Sequence, residues 1–441
     1  MLSIGSISRR ASLHRTCLVS LSTTSPPIEC QTRYRASRVA LLSTTTPASL
    51  VRPRTVLAWG RAIECQTGSP PAAGGASHHG AFTPAKLKHI DAAFVAAGAN
   101  ASCVIALDGQ TFLFGSGRAL GLGAGAECVP EPRALSVQLS SIALSDSTAV
   151  AIDRAGAQAL VWGVGTDGQL GLGGAMGPVG SYHGGAQEAL VVSPRPLRGE
   201  PLAGAAAARH RTLLLTQDGV VYAAGSGFHG ELGVSGNSGV ATAPASVVGL
   251  PENDPVSSIV AGHTFTLAAT KNGRLFFWGR VGTGGMVGEG GGQTPQNMLR
   301  AVVPTELTLP GRPDSKATPT LTLAAGLHHA LVSDGKRLWA IGASWEHGGF
   351  DSVAVRLVVL PRGVDSIVHI AAGPRTAGIV DGDGRAWLAG RLDSPLLLGA
   401  ECGASVARAL STEGRQLNQN SLHEGGGCAR VEDGTSHGSR T

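Results

Sequence analysis

Charge and aromatic side chains are both scarce in this 441-residue chain: 15% of its residues are charged and 4% are Phe, Trp or Tyr. With 42% hydrophobic residues, that scarcity of charge excludes a disordered polyelectrolyte. Seven cysteines (Cys17, Cys30, Cys65, Cys103, Cys128, Cys402, Cys428) are scattered and form no CxxC pair. Zinc ligation needs close ligand pairs and a disulfide scaffold needs a higher density, so the sequence predicts free thiols in a reducing compartment. No apolar run reaches the roughly 18 residues of a membrane-spanning helix. A GxxxxGK(S/T) loop and a GxSxG elbow are both missing, which excludes a P-loop enzyme and an elbow-type hydrolase. Nothing calls for a cofactor or a metal.

Glycine is abundant, with 64 residues. Without a strict three-residue period, glycine at this level fits many short strands joined by tight turns. The stretch AIDRAGAQALVWGVGTDGQLGLG, residues 151–173, shows the arrangement: strand, Gly turn, apolar strand ending in Trp-Gly, Gly-rich loop. Its phase returns in the glycine pairs Gly109/Gly115, Gly156/Gly163, Gly219/Gly225, Gly273/Gly279, Gly335/Gly342 and Gly384/Gly390. Recurrence at intervals of roughly 45 to 65 residues marks a repeat architecture. Asp-Gly or Asn-Gly at the turns (Asp108-Gly109, Asp218-Gly219, Asn272-Gly273, Asp334-Gly335, Asp383-Gly384) predicts hairpins, because Gly accepts positive φ there. Long Gly/Pro-rich connectors at 175–201 and 290–319 belong on a rim, where insertions are tolerated.

The two ends of the repeat region are half-units. TVLAWG, residues 55–60, is a return strand with no preceding half, and ECGASVARALSTEGRQL, residues 401–417, is a first half with no Trp-Gly strand after it. Joined, they would make one blade shared by both ends, leaving no open sheet edge, although a short link from Gly390 to Gly403 makes that blade stunted. Residues 418–441 are polar and aperiodic, and are expected to be disordered.

The formal charge of +5 lies in the leader. Residues 1–54 hold eight arginines and one acid, Glu29; removing them from 35 basic and 30 acidic residues leaves 27 against 29, so the body carries −2. An Arg-, Ser- and Thr-rich, acid-poor leader reads as a disordered mitochondrial transit peptide. A body without net positive charge gives no general support for nucleic-acid binding, although a local patch remains open.

VWGVGTDGQLGLG, YAAGSGFHGELG and LFGSGRALGLG, with the AAG…DG phase, resemble the regulator-of-chromosome-condensation repeat over roughly residues 55–417. The resemblance implies an all-β, seven-bladed β-propeller whose last blade is closed by N- and C-terminal strands. With the Arg-rich leader, the chain looks like the mitochondrial branch of that family. There the resemblance implies a non-catalytic platform that supports ribosomal large-subunit RNA modification and ribosome assembly. Its partners would be proteins, with mitochondrial ribosomal RNA or its modifying enzymes. The alternative is a guanine-nucleotide exchange factor for a mitochondrial dynamin-like or small GTPase, with peripheral membrane association open. The family often places His three residues after the AAG glycine; here only His329 sits there, and Ala101, Thr148, Arg211, Phe265 and Thr376 fill the equivalent places.

Gly163–Gly168 and Gly225–Gly230 each fit GxGxxG, but both lead into a Leu-Gly turn and not the helix that a pyrophosphate needs. His78-His79 and His328-His329 are adjacent pairs that point to opposite sides of a strand and rarely share a metal. The strand-end tryptophans Trp59, Trp162, Trp278, Trp339 and Trp387 read as blade packing. Asp167, His229, Glu231, Glu289, Glu346 and His347, all on loops after the Trp-Gly strands, would share one rim and are the candidate contacts, with solvated loop tips the default for each.

Overall fold

A computed structural model describes residues 2–7, 15–21, 54–60, 65, 68, 81–87, 90–117, 120, 128–173, 182–183, 190–192, 201–235, 239–282, 298–313, 320–342, 355–373, 376–383 and 385–390. Strands dominate, and no α-helix occurs among the described residues.

The paired glycines of the repeat have a physical cause. Gly115, Gly163, Gly225, Gly279 and Gly342, each in the latter part of its unit's third strand, all take positive φ between 95° and 115°. A Cβ at each would be driven into the backbone carbonyl of the turn between strands one and two: Asn100, Ser147, His210, Thr264 and His328 respectively. In four units the next residue donates its N–H to that carbonyl, as Ser226 does to His210 at 2.7 Å. The third strand thus presses against the first turn, and only glycine fits.

Sheets follow one another along the chain. The first blade holds Ala92–Ala97, Ala101–Ala106, Thr111–Gly115 and Val129–Ala134. The second holds Leu139–Leu144, Thr148–Asp153 and Ala159–Val164, with Tyr182–His183 and Leu190–Val192 both paired to its third strand. The third is Leu202–Ala208, Arg211–Thr216, Val221–Ser226 and Val240–Ser246. Val256–Ala261, Phe265–Thr270, Leu275–Gly282 and Met298–Leu307 form the fourth. Thr322–Ala325, His329–Ser333, Leu338–Gly342 and Arg356–Val358 form the fifth. These five are complete antiparallel blades; a sixth has three strands, Ile367–Ala372, Thr376–Asp381 and Ala386–Gly390.

Apolar side chains lie between successive blades. Leu213 and Leu215 of the third meet Ile259, Phe276 and Trp278 of the fourth. Phe265 and Phe277 of the fourth meet Trp339 and Ile341 of the fifth. Trp387 closes the layer between the fifth and sixth. Each fully buried Leu or Phe contributes about 1.5–3 kcal/mol, and a blade without neighbours would forfeit that on both faces. The tryptophans therefore fill the role expected of them; the Trp59 side chain lies outside the described residues.

The strand Arg54–Gly60 has a strand on either side: Arg15–Leu21 pairs with it in parallel, and Leu2–Ile7 pairs with Arg15–Leu21. Ala81–Leu87 completes this mixed sheet, whose strand Leu2–Ile7 packs beside the sixth blade. The rest of 1–53 and residues 401–417 lie outside the described residues. One expectation needs correction: the thiols are not all free. Cys65 and Cys128 form a disulfide with Cα atoms 5.6 Å apart, tying the loop after Arg54–Gly60 to the first blade; Cys103 is free and buried.

Candidate functional site

Strands alternate in direction, so the turn between strands one and two and the loop between strands three and four leave a blade at the same end. The candidate contacts lie on those loops, so the turns beside them belong to the same face. Arg209 and His210 form the first turn of the third blade, His263 and Thr264 that of the fourth, Leu327 and His328 that of the fifth.

Together these turns make an arc of polar rings. Asp167, on the second blade's loop, accepts a hydrogen bond from His210 Nδ1 at 2.8 Å. The His210 ring lies 6.4 Å from that of His263, which lies 5.9 Å edge-on from that of His328. The arc thus crosses four consecutive blades. His263 N also donates to Leu327 O at 3.1 Å, fixing the fourth turn against the fifth. Burial pushes the His263 imidazole down to about 4, helped by His328, Arg211, His210 and Arg209, so the ring is neutral at physiological pH.

Arg211 underlies the arc. It stands at the place His329 holds in the fifth blade, and its side chain is fully buried. Its guanidinium donates to the carbonyls of His263 at 2.8 Å, Gly262 at 2.8 Å and Phe265 at 2.5 Å, all on the neighbouring blade. One fork of planar donors therefore holds two blades together at the turn.

The Gly-x-Leu-Gly loops are held in a repeated way. Asp167 N donates to Gln169 Oε1 and His229 N to Glu231 Oε2, both at 2.7 Å, so the variable residue of each motif folds back onto its own loop. The following blade grips the same residue: Thr212 Oγ1 donates to Gln169 O and Thr266 Oγ1 to Glu231 O. At the equivalent place on the fifth and sixth blades stand Ala330 and Ala377, and the loops they would grip have lost the motif.

Of the candidate contacts, His229 and Glu231 are joined, and Asp167 is engaged by His210. Glu231 is buried and spent on its loop. His229 is shifted down by burial first and by Arg280 next. Glu289, Glu346 and His347 lie outside the described residues. The sequence reading missed His210, His263, Arg209 and Arg211 as one group. Their shared place in successive hairpin turns was the available signal. Among the described residues no group of three or more His, Cys, Asp or Glu could hold a metal.

Fold and face together define an all-β propeller whose polar turns and loops gather on one side. Residues 218–269, the second half of the third blade and the first half of the fourth, match the Regulator of chromosome condensation (RCC1) repeat. It is 33% identical over 211 residues to the bovine (Bos taurus) secretion-regulating guanine nucleotide exchange factor, covering 47% of this chain and 40% of that protein. To the Xenopus laevis protein RCC2 homolog it is 27% identical, over 35% of this chain and 31% of that one. The chain thus spans less than half the length of these curated relatives. Among solved structures, human WBSCR16 matches with a TM-score of 0.61 at 17% identity, covering 76% of this chain and 89% of that one. Prp20p of Saccharomyces cerevisiae, a structure described with its binding to Gsp1p and histones, matches at 0.53 and 18% identity, over 71% and 75%. At such identities the likeness establishes the fold alone.

Proposed function

We propose that the chain is a non-catalytic protein-binding propeller that acts as a guanine-nucleotide exchange factor, through the face carrying the turns and Gly-x-Leu-Gly loops. The observation that carries this reading is the arc from Asp167 through His210 and His263 to His328, a continuous polar surface over four blades. Support for the GTPase as partner comes from relatives named as exchange factors. Exchange requires no bond to be made or broken. A propeller that binds the nucleotide-free GTPase better than the loaded one opens the pocket, and a few kcal/mol of differential affinity suffice.

The test is release of fluorescent GDP from candidate GTPases. Acceleration at micromolar propeller supports exchange; no acceleration across the panel refutes it. A second reading, support of ribosomal large-subunit RNA modification in mitochondria by a seven-bladed ring, rests on the Arg-rich leader and the family resemblance. Crosslinking to mitochondrial ribosomal RNA tests it, and an empty map counts against it. Disulfides persist in oxidising compartments, so thiol trapping of Cys65 and Cys128 from fractionated cells also tests a mitochondrial-matrix destination.

A further inference from the structure

Among the buried side-chain nitrogens without a hydrogen-bond partner among the described residues are His263 Nδ1 and Arg280 Nε, both on the turn face. They belong to one blade and one local structure. Arg280 N donates to Thr264 O, and Thr264 Oγ1 donates back to Arg280 O, both at 2.6 Å, so Arg280 sits against the turn that carries His263. Buried polar atoms are nearly always satisfied; Arg280 Nε–H can only donate, and His263 Nδ1 donates once the ring is protonated, so the pair points to an absent acceptor. Both side chains are partly buried, neither of them enclosed on every side.

The surroundings favour an anion. His263 feels His328, Arg211, His210 and Arg209, while His229 feels Arg280, Arg300 and Arg211 along with Glu231. The acids nearby are engaged: Asp146 pairs with Arg209 at 3.5 Å, Asp167 with His210, and Glu231 with the backbone of His229. Arg300 is exposed, and Phe228 beside His229 is 72% exposed, an apolar anchor at the edge of a basic patch.

We propose that His263 and Arg280, flanked by Arg209, His229, Arg300 and His328, receive an acidic side chain from a protein partner, with Phe228 as the adjoining apolar contact. A protein carboxylate fits better than a nucleic acid. The body carries 27 basic against 29 acidic residues, so it offers a phosphate backbone no extended positive track. Exposed aromatics beside arginines are what protein interfaces use as anchors. The proposal deepens the protein-binding reading of this face but does not require the partner to be a GTPase.

The test uses the full chain and fluorescein-labelled hexaglutamate, with hexaglutamine and labelled hexauridylate as comparisons, in low salt. Hexaglutamate should bind and hexaglutamine should not. Arg280→Gln and Arg300→Gln should each raise Kd about fivefold, the size of one partly exposed charge contact. Lys271→Ala and Lys336→Ala, exposed on the opposite face, should leave it unchanged. Because a bound carboxylate favours the protonated His263, binding should tighten from pH 7.5 to 5.5, and His263→Gln should reduce that dependence. Absence of binding, equal losses in the opposite-face variants, or tighter binding of hexauridylate through the same residues would overturn the proposal. Since no GTPase is present, failure here and failure of exchange are separate results.

Discussion

Arg211 offers the sharpest perturbation. Replacing it with Leu removes three charge-assisted donors to the carbonyls of Gly262, His263 and Phe265. At about 1.5 kcal/mol each, these bonds total about 4.5 kcal/mol. Removing a buried charge gives back part of that sum, and Phe265 O keeps the Gly262 N–H at 2.9 Å. The net loss should be about 3 kcal/mol, which for a domain of this size lowers Tm by about 4–6 °C. Arg211→Lys, able to reach one carbonyl as a point charge, should fall between. Arg154→Leu is the internal comparison. Arg154 also donates across blades, to Asp108 O at 2.6 Å, but it is exposed, and its loss should lower Tm by no more than about 1 °C. Differential scanning calorimetry reads all three. A Tm for Arg211→Leu within a degree of the parent, or equal losses for Arg211→Leu and Arg154→Leu, would refute the view that the buried fork joins the third and fourth blades.

Other consequences follow from the same geometry. Gly225→Ala meets the carbonyl of His210 at a φ of 115°, and should cost at least about 2–3 kcal/mol. Gly363→Ala, at φ 83° with nothing within 4 Å, should cost about 1 kcal/mol in the same denaturation assay. His263 has a folded-state pKa of about 4, below the ordinary 6.5, so the unfolded chain binds more protons between those values. Its contribution is present above pH 6.5 and should be lost as pH falls towards 4, by about 3 kcal/mol in all. Stability measured against pH should be flatter over that window in His263→Gln. Reduction of the Cys65–Cys128 bridge, 63 residues apart in sequence, releases a loop worth about 4 kcal/mol of denatured-state entropy. A clear fall in Tm on adding reductant, abolished in Cys65→Ser, is the expected outcome.

The repeat was legible because its cause is local. A third strand pressed against the first turn demands glycine whatever else the blade contains, so Gly115, Gly163, Gly225, Gly279 and Gly342 stand out without any knowledge of neighbours. Buried tryptophans at Trp162, Trp278, Trp339 and Trp387 were legible for the same reason. The face was much less so. His210, His263 and His328 meet only because three hairpin turns are set side by side by blade packing, and no short-range spacing announces that. Arg211 read as a missing histidine, whereas it clamps three carbonyls of the next blade. The Cys65–Cys128 pair was hidden because a disulfide across the seam between two sheets leaves no pattern in cysteine spacing.

Hydrogen–deuterium exchange of the full chain, with and without a GTPase that it captures, tests the working face most directly. Protection should gather at residues 209–211, 227–233, 263–264 and 327–329, the turns and loops that share one end of the blades. Protection confined to the opposite turns, 154–157, 217–219, 271–273 and 334–337, would contradict it.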